Sequence, residues 1–244
     1  MLAVAAARLV GDTDVAVVGL GLPQVAGLLA KRTHAPGAVL LLEIGVFEPT
    51  PARSSMGIAD PIMWEGASAF GGMLDVLGAM LHAGRVTVGL LGALQVDPYG
   101  SVNSSLVVND GTSRRFNGSG GANDIASLAG RVVVVMRHEP RKFRDVLDFV
   151  TSPGHRVRGH TRRDLGLARG GTTSIVTDRA VIDVDDDGAR LVALHPGEEP
   201  LAVLRDTPMA VDVAGDEPRR TLAPTALELE LIRTELDPDG WYTQ

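Results

Sequence analysis

The chain has no cysteine among its 244 residues. That excludes disulfides, thiolate catalysis and cysteine-ligated metals, and it fits a reducing compartment. Aromatic residues are scarce as well, with two Trp, two Tyr and five Phe, and the formal net charge is −7 with no polybasic run. Neither a basic face nor a set of stacking aromatics is available, so nucleic acid is not an expected partner. An anionic membrane surface is a poor partner for the same reason. No stretch reaches the roughly 18 uninterrupted apolar residues of a membrane span. The start, Met1 to Arg8, is apolar but lacks a basic leading segment and meets arginine too early for a secretion signal. The expected location is the cytoplasm.

What is present is the composition of a soluble globular protein, 45% hydrophobic and 22% charged. The length suffices for a sizeable core. Short apolar runs alternate with helix-like segments. Val15–Leu20, Ala38–Glu43, Val86–Leu91 and Arg131–Met136 read as strands apolar on both faces, as parallel strands buried between helix layers are. Val25–Arg32, with Pro23 in its first turn, Met73–Ala83 and Arg141–Val150 read as helices. Near the C-terminus, Ile175–Thr177, Ala180–Asp183 and Arg190–His195 read as short strands, with Asp187-Gly188 marking a hairpin. The expected fold is α/β: an open, mostly parallel sheet flanked by helices, with a small antiparallel extension near the C-terminus. With no linker and no repeat, residues 1–244 are expected to form a single domain.

Six groups of residues invite a chemical reading. Gly19-Leu-Gly21 lies between a strand and a helix, where phosphate binds well, but the third glycine of a dinucleotide fingerprint is Gln24. A tight strand-to-helix turn, a dinucleotide site and a turn that shapes an acyl-CoA site all stay open. Gly118-Ser-Gly-Gly-Ala-Asn-Asp124 has three glycines within four residues, which lets backbone N–H groups approach one point. Its bland alternative is a flexible loop. Asp183, Asp185, Asp187 and Gly188 imitate the start of a calcium loop, but Leu194 stands where the bidentate acid belongs, and a hairpin turn is the better reading. The six histidines, at 34, 82, 138, 155, 160 and 195, show no metal-ligand spacing and read as capping or surface residues, and the mixed-sign run Arg137–Lys142 reads as a solvated loop or a subunit contact. Glu43 ends an apolar strand, the position where ligand chemistry sits in open α/β sheets, although a solvated acid is the simpler reading of that residue alone.

Taken together, several blocks in order resemble the β subunits of family I CoA-transferases of the glutaconate and 3-oxoadipate kind. The resemblance runs from about Val4 to Pro238. It passes through Val18–Pro23, Ala30–Pro36, Leu42–Gly45, Gly92–Asn103, the Gly118–Asn123 loop, Leu147–Gly154, Asp164–Leu167, Leu194–Gly197 and Leu231–Arg233. It implies that Glu43 is the nucleophile, with Ile44 replacing the serine that follows the acid in the family pattern. It implies that Gly120 and Gly121 donate backbone N–H groups to the reacting centre. Gly19, Gly21, Gly118, Ala122 and Asn123 are implied to shape the CoA site. A separately encoded α subunit is implied, in a heterodimer or a larger αβ oligomer, with acyl-CoA as substrate and no permanently bound cofactor. The segment Val46–Trp64 follows the pattern loosely. A decarboxylase or hydrolase of CoA thioesters on the same fold is the alternative, and a non-catalytic subunit is a third.

Overall fold

The computed structural model describes residues 1–243. Its centre is an eleven-stranded sheet. The strands β1 (Val15–Val18), β2 (Val39–Leu42), β5 (Val88–Leu91), β10 (Arg131–Val135) and β13 (Thr172–Val176) run parallel, in the spatial order β13, β10, β5, β1, β2. One edge is completed by β3 (Val46–Phe47) and β4 (Ala69–Phe70), both antiparallel to their neighbours. Beyond β13 follow the antiparallel β14 (Ala180–Asp185) and β15 (Gly188–Leu194), with β16 (Val211–Val213) and β17 (Arg219–Arg220) pairing in parallel with β15. The antiparallel part is thus a continuation of the main sheet. Gly188 closes the β14–β15 turn at φ +127°, and the Asp185 carboxylate accepts from Asp187 N–H and pairs with Arg190. The aspartate run is therefore spent on a hairpin.

The central strands carry apolar side chains on both faces because helices cover both. On one face lie α1 (Leu2–Ala7) and α2 (Leu22–Arg32), packed over Val18, Leu40, Leu90 and Val133. Pro23 stands in the first turn of α2, and Lys31 and Arg32 in its last turn complement the helix dipole. On the other face, Val17, Leu41, Val132 and Val134 meet α3 (Ala122–Leu128) and a π-wound helix, Leu74–Leu81. The remaining elements are the hairpins β6–β7 (Gln95–Val96, Val102–Asn103), β8–β9 (Leu106–Asn109, Thr112–Arg115) and β11–β12 (Arg156–Val157, His160–Thr161), with helices α4 (Pro200–Arg205) and α5 (Ala226–Leu231). Asp110 and Gly111, both at positive φ, form the tight turn of β8–β9.

The helix expected over Arg141–Val150 does not form. After a single 3₁₀ turn at Pro140–Lys142 the chain runs on in extended and irregular form, and Arg144 N–H bonds to Val96 O. Phe143 is buried against the His138 ring, whereas Val146, on the expected helical stripe, is exposed. Asp145 and Asp148 accept hydrogen bonds from Ala210, Val108 and Gln95. Aspartates that bind backbone compete with helix, and pairing to β6 and β7 outweighs a periodicity that is only local.

Candidate active site

The parallel strands deliver their carboxyl ends to one edge, where Gly19, Glu43, Gly92 and Met136 follow β1, β2, β5 and β10. In an open α/β sheet this is the edge that binds ligands. Glu43 opens the loop Glu43-Ile44-Gly45 that joins β2 to β3, with Leu42 paired to Val46 and Gly45 N–H bonded to Leu42 O. Three-residue hairpin loops need a left-handed residue near their end, and Gly45 has φ +100°. A Cβ there would also collide with the Gly71 carbonyl, to which the loop is tied by Gly71 N–H and Gly45 O at 2.7 Å. Neighbouring residues in so tight a loop diverge. Ile44 packs against the core under α2, which leaves the half-buried Glu43 side chain the other direction.

The Glu43 carboxylate lies against the glycine loop that precedes α3. Gly121 N–H donates to Glu43 Oε2 at 2.9 Å. A Cβ on Gly120 would stand 3.2 Å from Oε1, and one on Gly121 would overlap Oε2 and come within 3.1 Å of Leu77. Gly118 and Gly120 have φ of +85° and +48°. The sequence places glycine here because the carboxylate occupies the space that a side chain would fill. Polar residues hold the loop from behind. Ser104 Oγ donates to Gly118 O at 2.9 Å, and Asn123 Nδ2 to Thr151 O at 2.8 Å. Ala122 is half-buried beside the core on the α3 face.

Sequence reasoning missed this supporting layer. Fully buried Asn103 donates to Gln95 Oε1 at 2.7 Å, and Gln95 Nε2 donates to Asp148 Oδ2 at 2.7 Å. Ser104 N–H and the Ser105 hydroxyl meet Thr151 Oγ1. No local signal marks it, because polar residues in Gly92–Asn103 and Leu147–Gly154 are equally what an exposed loop carries. In the turn between β6 and β7, burial pushes the Asp97 carboxyl up to about 6, against the hydrogen bonds it accepts from Ser101 and Tyr99.

Gly19 and Gly21 reach the same edge but have other neighbours. Gly19 N–H bonds to Leu90 O at 2.9 Å. Gly21, at φ +84°, faces the ring of Tyr242, 3.3 Å from where its Cβ would be. Asp237 holds that ring by accepting from the backbone of Trp241, Tyr242 and Thr243, and Tyr242 Oη donates to Ser55 O at 2.7 Å. His138 and His195 are buried rather than on the surface, bonded to Thr177 and Thr207 and to Thr221 and Thr177. Burial lowers the basicity of both. Among the described residues no cluster of His, Asp or Glu could hold a metal, and no helix is long and apolar enough to cross a membrane.

Comparisons with known proteins fit this geometry. Residues 1–197 match the family model described as coenzyme A transferase. The B-type subunit of the 3-oxoadipate CoA-transferase of Pseudomonas knackmussii is 35% identical over 236 residues, covering 96% of this chain and 90% of that protein. The B-type subunit of the glutaconate CoA-transferase of Acidaminococcus fermentans is 32% identical over 255 residues, covering 100% and 94%. The crystal structure of the glutaconate enzyme from that organism superposes with a TM-score of 0.88 over 100% of this chain and 96% of the matched one. The decarboxylase AibA/AibB superposes at 0.81 with 25% identity, covering 99% and 95%.

Proposed function

The chain belongs to the coenzyme A transferase family, as a β-type subunit of a heteromeric CoA-transferase, and from that premise we propose that Glu43 is the nucleophile that carries CoA. The supporting observation is the Gly121 N–H held 2.9 Å from Glu43 Oε2 at the carboxyl edge of the sheet. In the reaction, the carboxylate attacks the acyl-CoA carbonyl, the C–S bond breaks, and an acyl-glutamyl anhydride and CoA thiolate result. The thiolate attacks the glutamyl carbon, releasing the first acid and leaving a glutamyl-CoA thioester. An acceptor carboxylate then attacks that thioester, expelling CoA thiolate and forming a second anhydride. The thiolate attacks the acceptor's acyl carbon, giving the new acyl-CoA and freeing the Glu43 carboxylate. One difficult exchange is divided into steps of nucleophilic substitution.

Two of these steps place an oxyanion on an oxygen of Glu43 itself. The Gly121 N–H is already directed at that oxygen, and one such donor contributes about 3–4 kcal/mol to a transition state. In this reading Gly120 stands close to the same carboxylate, Gly118 and Asn123 fix the loop, and Ala122 extends it into α3. Gly19 and Gly21 bound the neighbouring part of the edge, beside the depression formed with Gly92, Ala93 and Trp241.

The substrates are an acyl-CoA and a carboxylic acid, for which a dicarboxylate or oxo acid is the class suggested by the named relatives. The partner is an α subunit, in a heterodimer or a larger αβ oligomer, working in the cytoplasm. Phe70, Met73 and Leu74 are exposed apolar side chains on the segment that packs onto Gly45 and carries Leu77 to Gly121. So exposed a patch beside the nucleophile suits a covering subunit.

The test is intact mass spectrometry of the co-purified complex mixed with acyl-CoA and no acceptor. The expected result is a CoA adduct on the Glu43 peptide that borohydride reduces. Release of CO2 or free CoA without an adduct would instead favour the decarboxylase or hydrolase chemistry.

A further inference from the structure

The chain is acidic overall, yet five arginines and a single acid, Asp164, fall within residues 154–171. That segment forms the β11–β12 hairpin and then leads into β13. Four of its arginines, Arg156, Arg162, Arg163 and Arg169, line a cavity of about 580 Å³ together with His155 and Asp186. The cavity lies at the amino ends of β10 and β13. Gly170 on its wall sits against the carbonyls of Ala126 and Ala129, and Gly171 O accepts from Val132 N–H at 3.0 Å. Glu43 stands at the opposite, carboxyl edge and four strands away, a lateral offset of about 19 Å at about 4.8 Å per strand. The cavity is no part of the reacting centre.

Acidic side chains do little to neutralise it. Asp164 is spent on Thr161, accepting from its N–H at 2.9 Å and from its hydroxyl at 2.8 Å. The Asp186 carboxylate stands 3.7 Å from His155 Nδ1, and Arg156 Nε bonds to the Asp186 carbonyl at 2.9 Å, not to the carboxylate. Arg163 and Arg169 are exposed and make no ion pair or side-chain hydrogen bond among the described residues. Arg162 is only 8% exposed, and its terminal nitrogens donate to the carbonyls of Pro153, Gly154, Ala126, Ser127 and Arg169. Its Nε is buried with no partner. A buried donor left over is costly unless an acceptor reaches it, and guanidinium groups bind phosphate and carboxylate in bidentate fashion. No aromatic side chain lines the cavity, so it offers no platform for a nucleobase, and its volume is that of a metabolite site. We infer that this cavity binds a small polyanion, a metabolite carrying two or more phosphate or carboxylate groups, held by Arg163 and Arg169 at the mouth and by Arg162 Nε at the wall. The site stands independently of the transferase reading.

The test is isothermal titration calorimetry of the co-purified heteromer, with CoA in excess so that the coenzyme's own phosphate contacts are filled. Pyrophosphate and citrate are the probes, at constant ionic strength. The expected result is one saturable site for each copy of this chain, weakened about 10-fold by Arg163→Gln and by Arg169→Gln. Arg205→Gln, which removes a cation from α4, is expected to leave the affinity unchanged. Arg163 and Arg169 are exposed, so their variants test the site even if Arg162→Gln fails to fold. Tighter pyrophosphate assigns the ligand to phosphorylated metabolites and tighter citrate to polycarboxylates, and either supports the site. Absence of saturable binding by both probes overturns it. So does binding that neither arginine variant weakens, or that Arg205→Gln weakens equally.

Discussion

Two glycine turns reach the same edge of the sheet, and both lead into a helix. At the first, Gly21 faces Tyr242, a side chain that the C-terminal tail brings back and fastens through Asp237 and Ser55. At the second, Gly120 and Gly121 face the Glu43 carboxylate, and the depression beside Gly118 is open. Glycine spacing reports that something must come close. Whether the space is filled by the protein's own chain or kept for chemistry depends on what the fold puts opposite, and that is decided by residues far away in sequence.

The comparison can be broken most forcefully at Glu43. Glu43→Gln is expected to lower turnover of the complex by at least ~10³-fold, with little change in melting temperature, because the amide cannot form the anhydride. Steady-state rates against acyl-CoA check it, and residual activity within tenfold of wild type would remove the nucleophile. Next comes Gly121→Ala, whose methyl overlaps Glu43 Oε2 and crowds Leu77. A loss of about 10²-fold in kcat is expected, and almost no further loss in the Glu43→Gln background, since residues acting on one oxygen are strongly non-additive.

The closed turn should respond differently. Gly21→Ala forces a side chain to φ +84° against the Tyr242 ring, at a cost of about 1–2 kcal/mol of stability in denaturant titration. A rise in KM for acyl-CoA beyond the loss of folded protein would show that the closed turn also meets coenzyme. The mildest lever is pH. Asp97, near the residues that back the open loop, is raised from 3.8 to about 6 in the folded chain. The native state therefore binds more protons than the unfolded one, and stability falls as pH climbs across that interval. His138 and His195 are lowered from 6.5, so their contribution is complete above 6.5 and is lost as pH drops. Asp97→Asn should remove the first slope, raising stability at pH 7 by on the order of 1–3 kcal/mol and leaving the acid-side loss intact. Equal gains at pH 5 and pH 7 would argue against the assignment.

Much of this was legible in the residues. The doubly apolar runs at Val15, Ala38, Val86 and Arg131 mark parallel strands because helices cover both faces. Asp187-Gly188 marks its hairpin, and the order of the blocks around Glu43 and Gly118 singles out two loops that the fold brings into contact. The supporting layer of Gln95, Asn103, Asp148 and Thr151 was not legible, because hydrogen bonds between residues tens of positions apart leave no local period. Nor was the fate of Arg141–Val150, whose apolar spacing is helical while its backbone partners lie in β6 and β7. Ile44 replaces the serine that follows the acid in the family pattern. The tight loop packs it, half-buried, against the core.

The contact between Gly121 and Glu43 also has a bearing on descent. The two positions are 78 residues apart, yet they share one volume, so they should be inherited as a single character. A lineage that keeps the acid can admit a side chain at the glycine only by shifting the carboxylate and Leu77. A lineage that loses the acid is released from that constraint at both positions together.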